Sequence, residues 1–471
     1  MQYISTRGQA PKIGFCDVLL AGLARDGGLY VPETWPKLGE SAVGVSAASA
    51  KNSAAASYAQ KAASIMSPFV GAEIDQQIFE QLCVDAYSTF RHPEVAPLVE
   101  IGPNEYLLEL FHGPTLAFKD VALQLVGKLF DHVLMQRGQR VMIVGATSGD
   151  TGGAAFDGVA SCRNVDIVML YPNNRVSDVQ RRQMTTLTAP NVHAVAVDGT
   201  FDDCQDLVKA MFNDQKFRDA NQLSAVNSIN WVRVMAQVVY YVTAIEKLGR
   251  SAVFSVPTGN FGNVLAGWIA KQMGAQIEGF VVASNTNDIL TRFFESKQMT
   301  ANEVVPTLSP SMDIQVSSNF ERLLFETNNR DGAETAKQLT DFRATGKLEV
   351  AASVYQKWFE GVFVGRRCND EQTLATMQDV YKQSAMLIDP HTAVGLSAAR
   401  QSAGVDYPKN MPMITLATAH PAKFPDAVRR ATGQTPKLPE HLADLMSRPE
   451  RSVSLPNDLG AVQAFVASCR K

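Results

Sequence analysis

Between residues 141 and 283, short apolar runs alternate with segments of helical period. Val141–Val144 runs into Gly145, and helix-compatible residues follow from Thr151. Val165–Tyr171 precedes the amphipathic Val176–Leu187, and Val192–Val197 precedes Phe201–Phe212. No tight hairpin signal separates these three units, so the pattern predicts parallel strands joined by helical crossovers. A second series follows, with Ala252–Val256, a helix through Met273, and Ile277–Ala283; a last apolar run, Met413–Ala417, lies near the C-terminal end. The expected class is α/β, with two open, twisted, mainly parallel sheets flanked by helices and an N-terminal domain in front. The expected division is 1–100, 101–235, 236–430 and a C-terminal extension over 431–471.

Within the first hundred residues, 73–90 carry apolar positions at helical spacing. The run Arg25–Pro32 (RDGGLYVP) has loop chemistry, and Gly39–Ala59 is Ala/Ser-rich and nearly uncharged, which reads as a surface insertion. Charge adds little: 43 Lys+Arg against 47 Asp+Glu leaves −4, so bulk charge gives no support for binding nucleic acid. No secretion signal and no apolar stretch of the ~20 residues a membrane helix needs is evident, so the expectation is a cytoplasmic protein with no membrane partner. The six cysteines form no C-x-x-C pair and the seven histidines no H-x-x-x-H spacing, so no metal site is expected.

Ligands of open parallel sheets bind beyond the carboxyl ends of the strands, which directs attention to three loops. In Glu109–Asp120 (ELFHGPTLAFKD), Lys119 opens a helix among apolar neighbours. A helix N-terminus disfavours a cation, and burial would expose a nucleophilic amine; a solvated surface lysine is the alternative. Gly145–Gly153 (GATSGDTGG) combines hydroxyls, glycines and free N–H groups at a helix start, an anion site or else a plain glycine-rich turn. It matches neither dinucleotide nor P-loop spacing. Pro257–Asn263 (PTGNFGN) is a second such loop, read as a phosphate cup or a turn. Two anion loops and one lysine together suggest a cofactor phosphate, a substrate anion and an aldehyde held on an amine.

With these loops, the segments YISTRG, DGGLYVP, VNSINWVR, DIQVSSNFERLLF, DPHTAVG and ATAHPAKF complete an ordered set. The chain thereby resembles the threonine synthase family, pyridoxal-phosphate (PLP) enzymes of fold type II. The resemblance implies Lys119 as the PLP-bearing lysine and proton shuttle. It places the PLP phosphate in the Gly259, Asn260, Phe261, Gly262, Asn263 loop, Thr418 opposite the pyridine nitrogen, and Asp150 near the ring oxygen. Thr147, Ser148, Gly149 and Thr151 would close over the substrate carboxylate. Ser228 and Arg233 would take the substrate phosphate, with Asn319, Arg322 and Lys423 as softer candidates; for Arg322 and Lys423 a solvated surface role is the alternative. His112, His391 and His420 are expected to hydrogen-bond structurally.

The implied activity is that of a carbon–oxygen lyase acting on phosphate. It would convert O-phospho-L-homoserine and water to L-threonine and phosphate, the last step of threonine biosynthesis. A β-replacing or dehydrating enzyme of the same fold type, acting on serine or threonine, is the rival, and a ligand-holding protein without turnover a more distant one. Monomer and homodimer both stay open.

Overall fold

The computed structural model describes residues 1–39 and 57–470. The Ala/Ser-rich stretch expected at 39–59 falls largely on 40–56, outside the described residues; Ser57 already caps the helix Tyr58–Val70.

Two mainly parallel sheets carry the architecture. The larger has six strands in the order Phe363–Arg367, Ile277–Ser284, Ala252–Pro257, Met413–Ala417, Glu105–Glu109, Leu98–Gly102. All neighbours are parallel except the last pair, an antiparallel hairpin. The smaller has five parallel strands, Val453–Pro456, Val192–Asp198, Val165–Pro172, Val141–Ala146 and Leu223–Ser224. Thus Glu105–Glu109, expected to belong with 101–235, pairs with Met413–Ala417 instead. Val453–Pro456, expected in a C-terminal extension, forms the edge of the smaller sheet. Neither pairing is visible locally, because a parallel partner is chosen by long-range burial rather than by adjacent residues.

Val165–Pro172 is buried along its whole length, as a strand covered on both faces must be. The helix Trp231–Leu248 is apolar almost all round and correspondingly buried, packing against Tyr58–Val70, Lys119–Arg137 and Gly262–Met273. Arg233 and Gln237 are its buried polar residues, one turn apart, with Gln237 Nε2 donating to the Arg233 carbonyl at 3.0 Å.

The N-terminal unit is built into this core. Trp231 Nε1 donates to Tyr3 Oη at 3.0 Å, and Tyr3 Oη donates to the Phe69 carbonyl at 2.7 Å. Thr6 and Arg7 both bond Glu321, fastening the N-terminal strand to the helix Phe320–Thr327. No described helix is long and apolar enough to cross a membrane.

Candidate active site

The strand pairing just described delivers Lys119. Because Glu105–Glu109 and Met413–Ala417 run parallel, the chain leaves both at the same end, and the two exits zip together. Phe118 N–H donates to the Thr418 carbonyl at 2.8 Å, His420 N–H to the Leu116 carbonyl at 3.0 Å, and Ala117 bridges Ala419. Leu116 accepts a positive φ of 63° to make this turn. A β-substituted residue held there marks a turn imposed by its surroundings. Lys119 then becomes the first residue of the helix Lys119–Arg137, and it is buried rather than solvated.

Lys119 Nζ lies 3.3 Å from Asp150 Oδ2. Asp150 opens the helix Asp150–Val159, after a loop in which Thr147 Oγ1 accepts the N–H groups of Gly149 and Gly152, each at 2.9 Å. The Thr147 hydroxyl therefore closes its own loop. Gly149 has φ 129°, and a Cβ there would sit 2.6 Å from Gln180 Cδ. The space matters, because Gln180 Nε2 donates to Asp150 Oδ1 at 2.9 Å. Ser148 and Thr151 stand half-buried on either side.

Asp150 is the hub. Besides Lys119 and Gln180 it receives Lys423 Nζ at 3.0 Å and Ser311 Oγ at 3.3 Å. Burial alone would raise its pKa, but the ammonium groups of Lys423 and Lys119 and the Gln180 bond hold it well below the usual carboxylate range. For Lys119, burial lowers the pKa; Asp150 opposes this, while Lys423 and Arg233 reinforce it, and the net direction is downward.

The segment 311–319 ties this hub to the second loop. Met312 and Ile314 pack on Gly259, and Ser317 Oγ donates to the Gly259 carbonyl at 2.7 Å. Asn319 Nδ2 donates to the carbonyls of Asn260 and Ser228, each at 3.1 Å, joining that loop to the turn before Arg233. In the loop, Phe261 sits at φ 60° with its ring buried against Phe320 and Phe363, so its backbone and not its side chain faces the turn. Asn263 Oδ1 accepts from Tyr240 and Tyr241, whereas its Nδ2 is buried with no protein partner among the described residues.

Arg233 behaves the same way. Nη1 donates to the Val226 carbonyl at 3.1 Å, Nε has no partner, and no carboxylate among the described residues pairs with it. Burial pulls its guanidinium down to about 10. Arg322 looks similar in sequence but is satisfied: it donates to the Tyr30 and Ile229 carbonyls and to Asn319 Oδ1. Arg322 and Lys423 are both almost wholly buried, so the solvated alternative fails for each. Gln180, Gln183 and Ser311 were not singled out in the sequence. The Ser177–Gln180 capping box announces a helix start, yet nothing local says that Gln180 also reaches Asp150.

The histidines take structural partners. His112 pairs with Glu109 at 2.7 Å. His391 Nε2 accepts the Ser311 N–H at 3.2 Å, leaving Nδ1 to donate to Asp389 at 2.8 Å. His420 caps the turn Pro421–Lys423, and burial pushes it down to about 4.

Comparison with known proteins identifies the family. Residues 2–87 match the family description "Threonine synthase N terminus", 92–346 "Pyridoxal-phosphate dependent enzyme", and 392–466 "Threonine synthase, C-terminal". The chain is 53% identical to threonine synthase of Pseudomonas aeruginosa, covering 99% of this chain and 98% of that one. The chain belongs to the threonine synthase family. Among solved structures, PLP-bound threonine synthase from Brucella melitensis matches with TM-score 0.94 and 49% identity, covering 100% of each chain. Yeast threonine synthase matches with TM-score 0.91 and 38% identity, covering 99% of this chain and 98% of that one. PLP is accordingly the cofactor of this family. The residues present fit it: a buried amine with a lowered pKa, and a glycine loop at a helix start whose Asn263 amide lacks a protein partner.

Proposed function

We propose that Lys119, Asp150, Thr418, Ser228 and Arg233 make one site that converts O-phospho-L-homoserine and water to L-threonine and phosphate. The observation that carries this reading is the presence together of a buried Lys119 with a lowered pKa and a buried Arg233 that has no carboxylate partner among the described residues. A serine or threonine dehydratase has no need of that second anion seat.

The 259–263 loop would hold the PLP phosphate through its N–H groups and the Asn263 amide. Lys119 would carry the cofactor, Thr418 would offer its hydroxyl to the ring nitrogen, and Asp150 would stand by the ring oxygen. Bound there, PLP supplies the electron sink that makes substrate C–H bonds acidic. Lys119 Nζ would take the proton from Cα, hand it on, and take a second from Cβ as phosphate leaves Cγ; it would return one at Cγ and, once water has added its hydroxyl at Cβ, one at Cα, the third proton going to the released phosphate. Its lowered pKa suits this duty, since burial favours the neutral amine that must accept the proton. Ser148, Gly149 and Thr151 border the substrate carboxylate, with Thr147 holding their loop in shape. Arg233 supplies the planar donor fork that suits phosphate.

Phosphate release from O-phosphohomoserine, assayed with and without PLP, tests the proposal. PLP-dependent release with threonine as co-product is expected. Ketoacid from threonine or serine, with no phosphate release, would overturn it in favour of the dehydratase.

A further inference from the structure

Asp150 faces two lysines rather than one. Lys119 Nζ meets Oδ2, and Lys423 Nζ meets Oδ1 at 3.0 Å. Lys423 is fully buried, and its ammonium also donates to the Thr115 carbonyl and to Gln183 Oε1, both at 2.7 Å. Gln180 and Gln183 stand one turn apart on the helix Asp178–Thr185; the first holds Asp150 and the second holds Lys423. One short helix therefore fixes both ends of the Asp150–Lys423 ion pair. No comparable anchor holds Lys119, whose only side-chain hydrogen bond is to Asp150 among the described residues.

A proton shuttle beside a buried carboxylate raises an electrostatic problem. Each time the amine turns neutral, the carboxylate loses its counter-charge, and an unpaired buried charge is strongly unfavourable. We propose that Lys423 is a positioning residue that serves as the standing counter-cation of Asp150, so that Lys119 exchanges its proton without stranding that carboxylate. The arrangement acts on Lys119 in a second way. A fixed cation across the shared carboxylate repels a proton on Lys119 and favours its neutral form. The charged or titratable groups facing this centre are Asp150, Lys423, Arg233 from the helix Trp231–Leu248, His391 from the helix Pro390–Ser402, Asp120 beside Lys119 on the helix Lys119–Arg137, and His420 before the turn Pro421–Lys423.

The inference deepens the proposed reaction, but its first test does not depend on turnover. The full-length chain is stripped of PLP, checked for reloading, and reductively methylated with formaldehyde and cyanoborohydride from pH 6 to 11. Modification of Lys119 is then followed by mass spectrometry. Lys423→Gln keeps a donor to the Thr115 carbonyl while removing the charge; Lys423→Arg keeps the charge. The Lys119 midpoint is expected to rise by about one pH unit in K423Q, a roughly tenfold loss of neutral amine at pH 7.5. In K423R it should stay near that of the unsubstituted chain. An unshifted midpoint in K423Q, or an equal shift in K423R, would overturn the proposal.

The pH profile of phosphate release by the PLP-loaded variants gives a second readout, with the acidic limb of K423Q displaced upward. A labelling shift with no phosphate release from the unsubstituted chain would sink the reaction and leave the charge role standing. Turnover without a labelling shift would do the reverse.

Discussion

Arg233→Met separates the two meanings a buried arginine can have. Methionine keeps the length and apolar stem but removes the guanidinium. Among the described residues that group gains one carbonyl contact and no carboxylate, and burial brings its pKa down to about 10, roughly two to three units below an ordinary arginine. At about 1.4 kcal/mol per unit, the charged form costs the empty protein about 3–4 kcal/mol. The sign follows from linkage. A cation with a depressed folded pKa carries its full cost below about pH 10 and sheds it only as pH rises toward the unfolded value. At pH 7.5, R233M should therefore be more stable than the unsubstituted chain. Spread over an unfolding entropy scaled to 471 residues, about 3 kcal/mol corresponds to a Tm increase of roughly 3 °C. Activity should move the other way. Losing a buried charge-assisted contact to substrate phosphate costs about 2–5 kcal/mol, or roughly 30- to 5,000-fold in kcat/KM for phosphate release. Differential scanning calorimetry and the phosphate assay on one preparation measure both. A lower Tm with unchanged kcat/KM would mean that Arg233 is a structural brace, and the anion-seat argument would fall.

Three further outcomes follow from the same geometry. Lys119→Ala should bind PLP without the visible absorbance of a lysine-bound cofactor and release no phosphate; retained turnover would remove Lys119 from its role. Gly149→Ala places a Cβ 2.6 Å from Gln180 at a φ of 129°, so it should destabilise by more than about 1 kcal/mol and lower phosphate release at least tenfold as Gln180 leaves Asp150, both measured on one preparation. Asp120, which burial raises to about 7 against the bonds from Thr115, disfavours folding increasingly as pH climbs from about 4 to 7, by about 4 kcal/mol in all. The stability of Asp120→Asn relative to the unsubstituted chain should thus improve between pH 5 and pH 8, and parallel melting curves at the two pH values would show it.

Much of the site was legible because its parts are local. A lysine at a helix start, and glycine–hydroxyl loops between a strand and a helix, are patterns of a few adjacent residues with direct physical meaning. The strand at Met413–Ala417 and the helix ending at Met273 could be read for the same reason, since burial on regular periods writes itself into hydrophobicity. Arg322 and Lys423 could not be read this way. Each is a polar residue in a polar-looking motif, and only the packing of distant segments shows Arg322 spending its donors on Tyr30 and Ile229 and Lys423 on Asp150.

By itself the sequence determined the family, the α/β alternation, and which loops carry glycines, hydroxyls and an amine, because these depend on residue type and short spacing. The tertiary structure decided which charges are compensated. Parallel pairing of Glu105–Glu109 with Met413–Ala417, more than 300 residues apart, sets Lys119 beside Asp150 and brings Lys423 to the opposite oxygen. Burial then lowers the Lys119 pKa, and Arg233 is left without a carboxylate partner among the described residues. Desolvation and Coulomb interactions depend on what surrounds a group in space, and no local stretch of chain records that.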